Sequence, residues 1–72
     1  MAEKLKILFN IFKQAIEAER EAQKMYKEAI ALCEDQETIR TLEALLNDEL
    51  THEERLMEQY KKLREELQIV EN

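Results

Sequence analysis

A chain of 72 residues makes one small domain at most, and with a single cysteine it has no internal disulfide to support a small core. The formal net charge of -6 argues against nucleic acid and anionic membrane surfaces as partners. The lone Cys33 excludes a four-cysteine zinc or iron site within the chain and fits a reducing, cytoplasmic setting.

The first predicted element begins near the N-terminus. "MAEKLKILFNIFKQ" joins charge to an apolar run, but lysine breaks the run and no small-residue cleavage site follows, so it reads as helix rather than signal peptide. Glycine and proline are absent and 39% of residues are charged, a composition of long helices. Leu5, Leu8, Phe12, Ala15, Glu19, Ala22, Tyr26, Ala29 and Cys33 step three and four residues in alternation. This heptad-like seam predicts helix over about residues 3–33.

A short turn at about 34–35 follows, within "CEDQET". Asp35 is suited to cap the next helix, with Glu37 in its first turn. The second helix is expected over about 36–69. Its seam is Ile39, Leu42, Leu46, Glu49, Glu53, Leu56, Tyr60, Leu63, Leu67 and Val70. No stretch approaches the roughly 18 apolar residues of a membrane span. The expected fold is all-α, an antiparallel two-helix hairpin forming a single domain.

Pairing the helices across this turn places Glu19 level with roughly residue 50, between Glu49 and His52. The one charged residue of the first seam thus meets the charged interruption of the second. A carboxylate drawn out of water without a partner costs several kcal/mol, so compensation is required. Ile7, Ile11 and Ile16 on the first helix, and Leu45 and Met57 on the second, widen the apolar surface beyond one hairpin. A homodimer or higher homo-oligomer is therefore expected, built on a four-helix bundle.

Twofold symmetry then gathers two copies of Glu19, Glu49 and His52. Four carboxylates and two imidazoles suit two divalent transition metals per dimer, and the charges balance. The spacing in "ELTH" puts Glu49 and His52 on one helix face, so Glu49 can bridge metals while His52 caps one of them. Tyr26, two turns after Glu19, is placed to donate a hydrogen bond to a ligating carboxylate. Glu53, one turn after Glu49, reads as an exposed salt bridge at the bundle edge, with a further metal ligand as the alternative. Tyr60 reads as core packing, Cys33 as a small packed residue, and Met25 and Met57 as gap-fillers. Glu-x-x-His alone is a weak signal in so glutamate-rich a chain; the matched height of Glu19 strengthens it.

Residues 15–58 resemble one helical pair of the rubrerythrin branch of the ferritin-like superfamily. Shared features are Glu19 followed seven positions later by Tyr26, a short turn opening with Asp, and Glu49-x-x-His52. The resemblance implies that Glu19, Glu49 and His52 are metal ligands and Tyr26 an outer hydrogen-bonding residue. With one helical pair per chain the sequence is similar to encapsulated ferritins, which complete a di-iron centre between two subunits. It implies oxidation of Fe(II) by oxygen or peroxide, in iron handling or peroxide detoxification. No rubredoxin-like cysteine cluster is present to name an electron donor. Two other readings stay open: a non-catalytic zinc or iron module that staples a dimer, and a metal-free helical interaction protein.

Overall fold

The computed structural model describes residues 2–71, with side chains placed for residues 3–69. Two helices make up the chain, α1 (Ala2–Leu32) and α2 (Gln36–Glu71). Residues 33–35 join them. The amide of Cys33 donates to the Ile30 carbonyl at 3.3 Å, an i→i−3 contact that tightens the last turn of α1. The chain reverses without a residue at positive φ among those described, so the turn needs no glycine.

Asp35 starts α2. Its carbonyl accepts from the Ile39 amide at 3.0 Å, and its carboxylate accepts from the Thr38 amide at 2.9 Å and the Thr38 hydroxyl at 2.6 Å. This is an N-cap that satisfies one of the orphaned donors at the helix start. The two Thr38 bonds, the hydroxyl first and the amide second, hold the Asp35 carboxyl below its ordinary value.

At about 1.5 Å per residue, 36 helical residues extend about 54 Å. The longest dimension is 54 Å, against 14 and 13 Å across, so the molecule is a rod one helix pair thick. Such a shape hides little. Among the described hydrophobic side chains only Ile16 and Leu63 are buried. The surface area is 5779 Å², whereas a compact monomer of this mass exposes about 4,700 Å².

Along α1 the expected seam from Leu5 to Cys33 is half-buried at every position but Leu8, and the contact extends beyond it on one side. Leu8 stays 42% exposed while Phe9 stacks on Tyr60, with ring centroids 4.8 Å apart. Ile16 and Gln23 are buried, and their neighbours Ala15 and Ala22 only partly so. The contact on α1 thus spreads from the seam toward the adjacent line of Phe9, Ile16 and Gln23. On α2 the expected line from Ile39 to Leu67 is half-buried or buried throughout, and Val70 lies outside the described side chains. Met57 lines a groove of about 220 Å³ with Ile16, Lys13 and Tyr60.

The shift leaves a second apolar stripe on the flank of α1. Leu8, Ile11, Ala15, Ala18, Ala22, Met25, Ala29 and Leu32 follow one another at alternating steps of three and four. Ile11, Met25 and Leu32 on this stripe are 53%, 56% and 85% exposed. Among the described residues no helix is long and apolar enough to cross a membrane.

A carboxyl held low by folding stabilises the fold above its ordinary titration range, and that contribution is lost as pH falls through the depressed value. Asp35→Ala should therefore melt below the parent at pH 7. The gap should narrow as pH is taken under about 4. Thermal unfolding followed by circular dichroism at the two pH values checks this.

Candidate metal centre

α1 contributes Glu19 and α2 contributes Glu49 and His52, one turn apart. The two glutamate side chains are mostly buried, while that of His52 is 50% exposed. One ligand atom from each of the three lies within 4.8 Å of the others. His52 Nδ1 is 3.7 Å from Glu19 Oε2 and 3.9 Å from Glu49 Oε2. Both separations exceed hydrogen-bonding range.

Glu19 Oε2 is buried and has no hydrogen-bond partner. Native proteins pair nearly all such atoms, because an unmet buried acceptor keeps its full desolvation cost. A cation between the three groups would remove that cost. Nitrogen and oxygen ligands sit about 2.0–2.2 Å from a zinc-sized dication, so two on one ion are at most about 4.4 Å apart. The two imidazole–carboxylate separations fall inside that span, and the donor set suits first-row dications.

The other predicted participants are placed differently. Both oxygens of Glu53 are taken by α1: Gln23 Nε2 donates to Oε1 at 2.6 Å, and Arg20 Nε donates to Oε2 at 3.2 Å. The Gln23 bond chiefly lowers the Glu53 carboxyl below its ordinary range; burial opposes it, and the bond and charge of Arg20, with the charge of Lys27, add to it. Glu53 is thus engaged in the exposed salt bridge, with Arg20 open to solvent and the carboxylate half-buried. Tyr26 is half-buried and makes no hydrogen bond to Glu19 or Glu49 among the described residues. Thr51, inside "ELTH", spends its hydroxyl on the Asn47 carbonyl of its own helix.

Gln23 and Arg20 did not stand out in the sequence. The signal for Gln23 was its position four residues after Glu19, a step along the helix face as valid as the three-residue step to Ala22. On α2, Glu49 lies between His52 and Glu53 around the helix, so these two point to opposite flanks. His52 opens to the flank that carries the alanine-rich stripe of α1, and Glu53 turns toward the groove.

The chain matches no known protein family, no curated protein and no solved structure.

Zn(II) or Co(II) should raise the melting temperature at pH 7. Free ion at a hundredfold excess over its dissociation constant adds about 2.7 kcal/mol. Glu19→Gln keeps the side-chain shape and removes the unpartnered charge, so the metal-free variant should be at least as stable as the parent yet gain nothing from metal. Melts with and without ion check both halves.

Proposed function

We propose that this chain is a dimeric di-iron carboxylate protein that oxidises Fe(II) with oxygen or peroxide. The observation that carries the reading is the partnerless buried oxygen of Glu19 facing His52 and Glu49. A carboxylate in that position carries a desolvation cost that a bound cation relieves.

One chain supplies three ligands, and first-row dications usually take four to six. A second copy supplies the remainder. The surface excess over a compact monomer is about 1,000 Å², comparable to the roughly 800 Å² each partner buries in a standard interface. The exposed stripe from Leu8 to Leu32 lies on the flank to which His52 opens, so twofold pairing through it brings two trios together. The four carboxylates and two imidazoles match the donor pattern of ferritin-like di-iron bundles, a Glu from one helix and Glu-x-x-His from the next, repeated.

In this reading iron is the substrate and supplies the redox chemistry. The protein's part is binding and placement. Glu19 and Glu49 contribute negative charge that favours the higher oxidation state, and His52 contributes the neutral nitrogen ligand. The apolar stripe excludes water from the flank.

Sedimentation should give a dimer or larger at micromolar concentration, and Fe(II) titration should saturate at about two per dimer. Aerobic Fe(II) should oxidise faster than in buffer, with His52→Ala slowing it about tenfold or more. Binding of zinc or iron with no faster oxidation and no peroxide consumption would replace this reading with a metal-stapled dimer. A folded dimer indifferent to metal would make it a helical interaction protein.

A further inference from the structure

The exposed stripe of α1 is spaced symmetrically about residue 20. Leu8, Ile11, Ala15 and Ala18 precede that point, and Ala22, Met25, Ala29 and Leu32 follow it at mirrored intervals. We propose that two copies of the chain pair antiparallel through this stripe, α1 on α1 and α2 on α2, with the twofold axis crossing the rod at the level of Arg20. The pairing stands on the stripe and the charges around it; that it joins two metal trios rests on the metal-site reading above.

A twofold axis can run along the rod or across it. Glu19 lies near the middle of α1, so either axis brings the two trios to one level, and the site itself does not choose. Along the rod, α1 would lie on the partner's α2. The line of α2 through His52 runs Thr41, Leu45, Asp48, Arg55, Gln59 and Lys62, exposed throughout and apolar only at Leu45. The apolar stripe would then be covered largely by charged and polar groups, which is costly. Across the rod, the stripe lies on itself and the polar line on itself. Asp48 is on the turn side of His52, with Arg55 and Lys62 on the other, so antiparallel pairing sets opposite signs facing.

Side-chain size points the same way. About residue 20, Leu8 meets the partner's Leu32, Ile11 the partner's Ala29, Ala15 the partner's Met25 and Ala18 the partner's Ala22. Large faces small in two of the pairs, which fills the interface without overlap. The all-alanine pair lets the helices approach most closely beside Glu19. Helices of a bundle cross at about 20° and part toward their ends. The bulkiest pair, Leu8 with Leu32, sits where that gap is widest. Charge along the rod agrees. The open end of α1 carries Lys4, Lys6 and Lys13 against Glu3, and the facing end of α2 is balanced, with three acids and three bases over residues 58–66. The turn end carries Glu28, Glu34, Asp35, Glu37 and Glu43 against Arg40. Antiparallel pairing sets the basic end beside the acidic one, whereas parallel pairing sets like beside like.

The test uses the full chain with Cys33→Ser and one spin label, at Glu34→Cys beside the turn. Residue 34 is some fourteen residues from the axis, so two labels should lie about 40 Å apart. An axis along the rod would bring them within about 25 Å. Ala18→Leu overfills the close approach and should weaken the dimer about tenfold or more in sedimentation. Ala29→Ile alone should weaken it too, and Ile11→Ala added to it should restore it by exchanging the pair. A short distance overturns the proposal, as does an Ala18→Leu variant that dimerises like the parent, or an exchange that restores nothing. A chain that stays monomeric with and without Co(II) overturns both the pairing and the shared site. The long distance in a parent that binds no Co(II) upholds the pairing and removes the metal reading. Co(II) binding with the short distance keeps the metal reading and overturns the pairing.

Discussion

Two carboxylates face one another in the seam of a rod that is too thin to carry a conventional core, and among the described residues no lysine or arginine pairs with them. Glu19 and Glu49 sit mostly out of water with the imidazole of His52 at 3.7 and 3.9 Å, short of a hydrogen bond. The guanidinium nearest in sequence, that of Arg20, is engaged by Glu53. The folded hairpin therefore carries a local electrostatic cost that its own residues do not remove, and the rest of the structure is arranged around it.

The same thinness leaves little apolar burial to offset that cost. Among the described residues two buried hydrophobic side chains, Ile16 and Leu63, are a small reserve, and ordering 72 residues costs on the order of 100 kcal/mol in conformational entropy. Helix propensity, the Asp35 cap and the Phe9–Tyr60 stack all help locally. None of them covers the stripe from Leu8 to Leu32. The unmet electrostatic demand and the unmet apolar demand open on the same flank of the hairpin. In the proposed dimer, one event that covers the stripe and brings in a second trio answers both.

Much of this was legible in the residues. Long uninterrupted periodicity without glycine or proline dictates two helices, and Asp35 followed by Thr38 three positions on marks where the second begins. The meeting of Glu19 with Glu49 and His52 follows once the helices are antiparallel, because the short turn leaves no freedom to slide by more than a residue or two. What was not legible is phase. On α1 the lines through Leu8, Ala15 and Ala22 and through Phe9, Ile16 and Gln23 are adjacent and both largely apolar, so periodicity alone does not say which one faces α2. The larger side chains win the contact because they fill more of the space between the helices. Ala15 and Ala22 are left half-buried at the edge of the contact, and a glutamine is carried in. Glu53 was ambiguous for a related reason: its direction is decided by Gln23 and Arg20, 30 and 33 positions away.

The two polar features of the interface have opposite consequences for stability. The Gln23–Glu53 contact is satisfied, so it supports the folded hairpin with or without an ion. The Glu19–Glu49–His52 group is unsatisfied, so its contribution changes sign according to what binds there. A chain selected for stability alone would close both, for instance with an arginine beside Glu19 or an amide in its place. One is closed and one is open, a single turn apart on each helix. In the proposed metal-binding reading, the hairpin itself holds the three donors near one another, and binding need not also supply the entropy of lining up two helices.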